Sequence, residues 1–270
     1  SMKDLKNIKI VFIDIDGTLV NKRKRVTMKT RKMVKRLVDK NIYVVLASGR
    51  DILHTIDKSR KALASNIIIS SNGSEIYNYK TNEKIYTSEI SKNKVNKIWD
   101  YCNKKQIGVM IKTLEGKFIN KYLIGKDKEN GILITNKKEL KDQQVTQIIF
   151  ISNDIEQILS AKSFIQDLDL SINHYSNSFL DTTISDRYSL DINNKDVSKG
   201  HGIKILLDYL NIKKEESICF GDYYNDIDMF KESGIKVAMG NACQELKEKA
   251  DYITETNDKN GVAVFIDKYL

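Results

Sequence analysis

The stretch Lys9-Ile-Val-Phe-Ile-Asp-Ile-Asp-Gly-Thr-Leu-Val20 constrains this chain more than any other. Residues Ile10 to Ile13 form an unbroken apolar, largely β-branched run, the pattern of a strand buried on both faces of a parallel sheet. Asp14 and Asp16 stand where the run ends, with Gly17 and Thr18 directly behind. Residues i and i+2 of an extended chain point to one side. A strand that persists this far therefore presents two carboxylates at its carboxyl end, where open α/β sheets hold their ligands. Such neighbours repel unless a cation or a shared proton lies between them. A hard divalent cation such as Mg2+, which takes oxygen ligands, meets that need. The same residues also read as an Asx-turn closing a buried strand, because Asp-Gly is a common turn pair. The rest of the chain decides between the two.

The α/β rhythm continues after this strand. Thr27 is placed to cap a helix whose stripe is Met33, Val34, Leu37 and Val38. Ile42 to Ala47 reads as a second buried strand, running into Ser48-Gly49-Arg50. A helix is expected over about Ile52 to Ala64, and a third strand over Ile67 to Ile69, ending in Ser71-Asn72-Gly73. Beyond that point the pattern changes. Short strands are expected at Glu75 to Tyr79, Lys84 to Thr87, Ile107 to Ile111, Gln147 to Ile151, Leu170 to His174 and Leu180 to Ile184. Amphipathic helices carry Val95, Ile98, Trp99 and Cys102, and Ile158, Ala161, Ile165 and Leu168. The rhythm returns near Tyr188. A strand at Ser189 to Ile192, a helix striped by Ile203, Leu206, Leu207 and Leu210, and strands at Ser217 to Gly221 and Lys236 to Met239 follow. The expected fold is α/β. A Rossmann-like, doubly wound parallel sheet forms a split core from residues 1–79 and 188–270, and an α+β cap with an antiparallel sheet is inserted at 80–187.

Composition narrows the function. The chain has 270 residues, 41% hydrophobic and 30% charged, which suits a globular protein with a sizeable core. No apolar run is long enough to span a bilayer, and no signal-peptide layout opens the chain. Ser1-Met2 reads as a cloning remnant. Cys102, Cys219 and Cys243 are far apart and without metal spacing, as in a cytoplasmic protein with reduced thiols. The net charge of +9 is spread along the chain among acidic residues. That distribution argues against nucleic acid and membrane partners, and for a field that attracts small anions such as phosphate esters. Oligomeric state leaves no mark on the sequence.

Polar groups collect at the ends of the core strands: Asp14 and Asp16, Ser48, Lys199, then Asp222 and Asp226 with Asn225 beside them. In a parallel sheet all of these ends share one edge. Carboxylates, a lysine, a hydroxyl and backbone N–H groups on one edge suit phosphoryl transfer, where the site positions the group and neutralises its charge. At this point the sequence resembles the haloacid dehalogenase superfamily, in particular its Cof-type phosphatases with a type IIB cap. The resemblance rests on Asp14-Ile-Asp16-Gly-Thr-Leu19, Ala47-Ser48-Gly-Arg50, Ser198-Lys199-Gly200 and Gly221-Asp222-Tyr-Tyr-Asn225-Asp226, in that order. Ser71-Asn72-Gly73, Ala238-Met-Gly-Asn-Ala242 and Asn257-Asp-Lys-Asn-Gly-Val262 are similar to further segments of the family.

The resemblance implies a Mg2+-dependent phosphatase acting on a small phosphorylated metabolite, such as a sugar phosphate. Asp14 would be the nucleophile, forming an aspartyl-phosphate, and Asp16 the general acid and base. Asp14, the Asp16 carbonyl and Asp222 would hold the metal, with Asp226 binding it directly or supporting that shell. Ser48, Gly49, Lys199 and Asn225 would hold the phosphate. A phosphotransferase or sugar phosphomutase shares the aspartyl-phosphate step. A non-enzymatic receiver has no need of Asp16. The insert, which carries no matched motif, is expected to select the substrate.

Overall fold

In the computed structural model, residues 5–125, 128, 131–176 and 187–270 are described. The chain forms two compact units, one of Ser1–Tyr86 with Ser198–Leu270 and one of Thr87–Val197. The first unit opens with β1 (Ile10–Ile13), α1 (Met28–Asp39), β2 (Tyr43–Ala47), α2 (Ile52–Ala62), β3 (Ile67–Ser70), β4 (Glu75–Asn78) and β5 (Glu83–Thr87). The second holds α3 (Lys92–Lys105), β6 (Gly108–Thr113), β7 (Lys117–Ile119), β8 (Ile132–Leu133), β9 (Val145–Ser152), α4 (Ile155–Asp167), β10 (Ser171–Ser176) and β11 (Tyr188–Asn193). The first unit is completed by α5 (Lys199–Leu210), β12 (Ser217–Gly221), α6 (Ile227–Glu232), β13 (Ile235–Ala238), α7 (Gln244–Lys249), β14 (Tyr252–Ile253) and α8 (Gly261–Tyr269).

The first sheet has the order β14-β13-β12-β1-β2-β3-β4-β5. It is parallel from β14 to β3, and β4 turns antiparallel to β3. Alternation along each strand divides its side chains between two apolar layers. Val11, Ile13, Val44, Leu46, Ile218 and Phe220 pack with Met33, Val34 and Leu37 of α1 and with Val262, Phe265 and Ile266 of α8. Ile10, Phe12, Val45 and Cys219 pack with Ile203 and Leu206 of α5, Met229 and Phe230 of α6, and Leu246 of α7. Helices thus cover both faces, as a doubly wound sheet requires. The helices start where the sequence offers caps. Thr27 Oγ1 accepts from Thr30 N at 3.3 Å, and Asp51 Oδ1 accepts from His54 N at 2.9 Å. Ile13 pairs with Leu46 on one side and Phe220 on the other. That register brings the residues after β1, β2 and β12 to one edge.

The second sheet has the order β10-β11-β9-β6-β7-β8. Its pairs are antiparallel except β7 with β8. Ile98 and Trp99 of α3 and Ile158 and Ile165 of α4 pack against Val109, Ile111, Ile148, Phe150, Leu190 and Ile192. Trp99 belongs to this core.

Two strands fall outside the expected boundaries. β5, expected inside the insert of residues 80–187, belongs to the first sheet. It follows β4 through a turn in which Asn82 takes a φ of +60°, and a hairpin extends an existing sheet edge with little loop to close. β11, expected in the core from residue 188, lies antiparallel between β9 and β10. Its alternation puts Leu190 and Ile192 into the second unit's core. Periodicity reveals a strand but not the sheet it joins. β7, β8, α6 and α8 carried no sequence expectation, and the strand expected at Leu180 to Ile184 lies outside the described residues. Among the described residues no helix is long and apolar enough to cross a membrane.

Phe150 is fully buried in the second unit. Phe150→Ala should destabilise that unit by about 3–5 kcal/mol. Denaturant unfolding followed by circular dichroism checks this, and an unchanged transition would contradict the packing described.

Candidate active site

The sheet continues through Asp14, whose backbone N donates to Phe220 O at 3.2 Å. The chain then breaks into a wide turn over Ile15–Leu19, closed by Leu19 N to Asp14 O at 3.1 Å and Val20 N to Ile15 O at 3.2 Å. Gly17 makes the turn possible. Its φ is +77°, and a Cβ there would press on the Asp222 carboxylate, so any other residue would strain the turn and displace Asp222. The turn also separates the two carboxylates that an extended strand would have aligned. Asp14 is buried, whereas the Asp16 side chain keeps 35% exposure and faces a different set of partners.

Asp14 belongs to a buried cluster. Lys199 Nζ donates to Asp14 Oδ1 at 2.7 Å and to Asp226 Oδ1 at 2.9 Å, and only 1% of the lysine side chain is exposed. Lys199 is the first residue of α5, which Ser198 caps by accepting from His201 N at 3.0 Å. Asp226 Oδ2 accepts from Asp222 N at 2.8 Å and Tyr223 N at 3.1 Å. Asp222 Oδ1 accepts from Thr18 Oγ1 at 3.0 Å. Oxygens of Asp14, Asp222 and Asp226 lie within 4.8 Å of one another.

Two of these carboxylates thus share one ammonium, and the third, Asp222, stands beside them without a cation of its own among the described residues. Burial raises the Asp14 carboxyl, as does the charge of Asp226, against the opposing pull of Lys199. Burial and the charge of Asp14 raise Asp222 further. Burial works against the charge of Lys199, but Asp14 and Asp226 outweigh it and hold the ammonium firmly protonated. The cluster therefore keeps a proton or accepts another cation. Its donors are all carboxylate oxygens, with no imidazole or thiolate, and that set fits a hard divalent cation.

Asp16 sits in a cationic setting. Arg50 Nε and Nη2 donate to its two oxygens at 3.0 and 3.4 Å, and Lys24 Nζ reaches Oδ1 at 3.2 Å. Burial alone would raise its carboxyl, but Arg50 and then Lys24 outweigh that and hold it well below the usual carboxylate range. Ser48 is buried in the loop after β2. Its Oγ accepts from Arg50 N at 2.9 Å and its carbonyl accepts from Asn72 N at 2.9 Å. Asn225 lies in the turn Tyr224–Asp226.

Asp14, Lys199, Asp222 and Asp226 are thus in direct contact, while Ser48, Gly49 and Asn225 occupy loops at the same sheet edge. Sequence reasoning missed three groups. Thr18 holds Asp222, Lys24 holds Asp16, and Asn241 Nδ2 donates to Gly17 O at 2.9 Å. Thr18 and Asn241 lay inside motifs already noted. Lys24 had no signal, being one of 45 basic residues.

The sequence profile of the haloacid dehalogenase-like hydrolases matches residues 11–266. The chain is 31% identical to a Bacillus subtilis protein named 5-amino-6-(5-phospho-D-ribitylamino)uracil phosphatase YcsE, over 95% of this chain and 94% of that one. It is also 31% identical to a putative phosphatase of Buchnera aphidicola from Acyrthosiphon pisum, over 96% of each. Its fold matches a crystal structure of a haloacid dehalogenase-like hydrolase from Bacteroides thetaiotaomicron with a TM-score of 0.84. That match has 25% identity and covers 97% of this chain and 100% of the other.

The raised carboxyls set a direction for stability against pH. Folded Asp14 and Asp222 keep protons that the unfolded chain releases above its ordinary value of 3.8. The folded state therefore binds more protons, and stability of the metal-free protein should fall as pH rises from 5 towards 8. Asp16, whose carboxyl is depressed, contributes fully across that window, and His54, lowered by burial, opposes the fall only below its ordinary value of 6.5, against two raised carboxyls. A divalent cation held by these carboxylates would compete with those protons, so added Mg2+ should raise Tm more at pH 8 than at pH 5. Thermal unfolding with and without Mg2+ at both pH values checks this, and an equal gain at both would contradict the reading of the cluster.

Proposed function

The chain belongs to the haloacid dehalogenase-like hydrolases and is a phosphatase, and from that premise we propose that it hydrolyses a small phosphorylated metabolite through an aspartyl-phosphate on Asp14, with Mg2+ as cofactor. The observation that carries this reading is the position of Asp14, buried at the carboxyl end of β1 with Lys199 Nζ 2.7 Å from one of its oxygens. A carboxylate so held is oriented for in-line attack on phosphorus, and the ammonium beside it attracts the phosphate oxygens.

Asp14 opens the reaction by attacking phosphorus as the ester oxygen departs. Lys199 balances the charge that builds on the transferring group, with the Ser48 hydroxyl, the Gly49 N–H and Asn225 completing the phosphate cradle. Asp16, two residues on, gives a proton to the leaving oxygen and then takes one from the water that opens the acyl phosphate. Its ion pairs with Arg50 and Lys24 suit the second, basic half. In the first half a substrate has to draw those cations away, and Asp16 must then take up from solvent the proton it passes to the leaving oxygen. Asp14, the Asp16 carbonyl and Asp222 would hold Mg2+. Asp226 supports them, since its two oxygens are already taken by Lys199 and by the N–H groups of Asp222 and Tyr223. When bound, the metal neutralises phosphate charge and offsets the repulsion among the carboxylates. We read the substrate class as a sugar phosphate or similar metabolite, which the name of the Bacillus relative, containing a phosphorylated ribityl chain, supports.

Asp14→Asn should reduce turnover to background while leaving stability nearly intact, because it removes one of three mutually repelling carboxylates. Steady-state assays and thermal unfolding test both halves, and near-normal hydrolysis would remove Asp14 as nucleophile. For Asp16→Asn, the loss with an alkyl phosphate should reach about 10²–10⁴-fold. An activated aryl phosphate, whose leaving group needs no proton, should lose less in a single turnover. Equal losses for the two esters would count against the acid role.

A further inference from the structure

Two cations meet the single carboxylate of Asp16, and a third stands behind them. Arg50 and Lys24 both reach it, and Lys58 of α2 donates from Nζ to the Lys24 carbonyl at 2.8 Å. Partial burial, with the charge of Lys61, pulls the Lys58 ammonium down. Neighbouring acids have other engagements. Asp51 caps α2, Asp57 pairs with Lys61 at 3.0 Å, and Asp258 accepts from Lys22 N at 2.8 Å.

The backbone sets where Lys24 lies. Asn21 N donates to Arg25 O at 3.1 Å and Lys24 N donates to Asn21 O at 2.9 Å, closing a tight turn. Asn21 Oδ1 accepts from Arg23 N and Arg25 N at 3.0 and 3.1 Å. Within this turn Lys24 has a φ of +61°, a left-handed conformation that glycine or asparagine adopts more readily. This turn carries the Lys24 ammonium to Asp16 Oδ1 at 3.2 Å.

Resting on the reading of Asp16 as the group at the leaving oxygen, we propose that Lys24, Arg50 and Lys58 form an anion subsite within the first unit, and that the preferred substrate is a phosphate ester whose leaving group bears a second anionic group. That group is a phosphate or a carboxylate. On arrival it competes with Asp16 for the Arg50 fork and the Lys24 ammonium, and so turns Asp16 towards the ester oxygen. A fork and two ammonium groups suit such an anion, because charge-assisted hydrogen bonds to guanidinium are short and directional. A neutral sugar gains nothing comparable from them.

The test compares kcat/KM of the full chain for matched pairs. Phosphoglycerate against glycerol phosphate probes the carboxylate, and fructose bisphosphate against fructose monophosphate probes the phosphate. The expected preference in at least one pair is about ten-fold or more, the worth of one added charged hydrogen bond. The responding pair identifies the anion. In Lys24→Asn combined with Lys58→Gln the ratio should fall towards one, and high salt should shrink it in the native chain. Asparagine accepts the left-handed turn, so folding is maintained, and Lys58→Gln alone gives a second, milder variant. Ratios near one in the native chain, or ratios unchanged in the double variant, overturn the subsite. Failure of the Asp16 reading would appear instead in the alkyl–aryl comparison with Asp16→Asn, leaving these charge ratios in place.

Discussion

The first unit depends on a buried lysine. Lys199 is almost fully enclosed, and two carboxylates from distant parts of the chain converge on its ammonium. Replacing the lysine would cost about 3–5 kcal/mol, because two buried carboxylates would be left without their counter-charge. The ammonium is therefore structural and electrostatic at once. It lets β1 end in a buried carboxylate and β12 be followed by another, and it gives the edge where they meet a positive centre suited to phosphate.

The position of that lysine is set by close backbone packing. Gly73 has a φ of +98°, and a Cβ on it would stand 2.1 Å from Ser198 O. The loop after β3 can therefore lie against the start of α5 only if residue 73 is glycine. Asn72 N in turn donates to Ser48 O, joining the loops after β2 and β3. Loops from separate strands become one support, and the parallel register carries each of them to the same edge.

The two carboxylates of the first loop have opposite settings. Asp14 is held by one buried lysine among other carboxylates, and its proton affinity rises. Asp16 is half-exposed between a guanidinium and an ammonium, and its proton affinity falls. Environment alone separates them, since they are two residues apart on the same turn. Neighbouring acids pushed in opposite directions are a sign of divided acid–base labour.

Much of this was legible in the sequence. The apolar run Ile10 to Ile13, its likeness to Val44 to Ala47 and Ile218 to Phe220, and the polar residues closing each run determined a parallel sheet with its chemistry at one edge. These are local properties, fixed by burial and side-chain type. Long-range packing decided the remainder. Periodicity could not place β5 in the first sheet or β11 in the second, because pairing partners are chosen by loop closure and by which core takes the apolar face. A turn at the Asp16-Gly17 pair was one of two readings of the stretch, but the sequence could not say which partners such a turn would give each carboxylate. That turn directs Asp14 to Lys199 and Asp16 to Arg50 and Lys24, and it depends on Gly17 meeting Asp222, which lies on the far side of the sequence. Lys24 stayed hidden among many similar residues, since a lysine acquires a role only from the atoms its ammonium reaches, and tertiary structure alone supplies those.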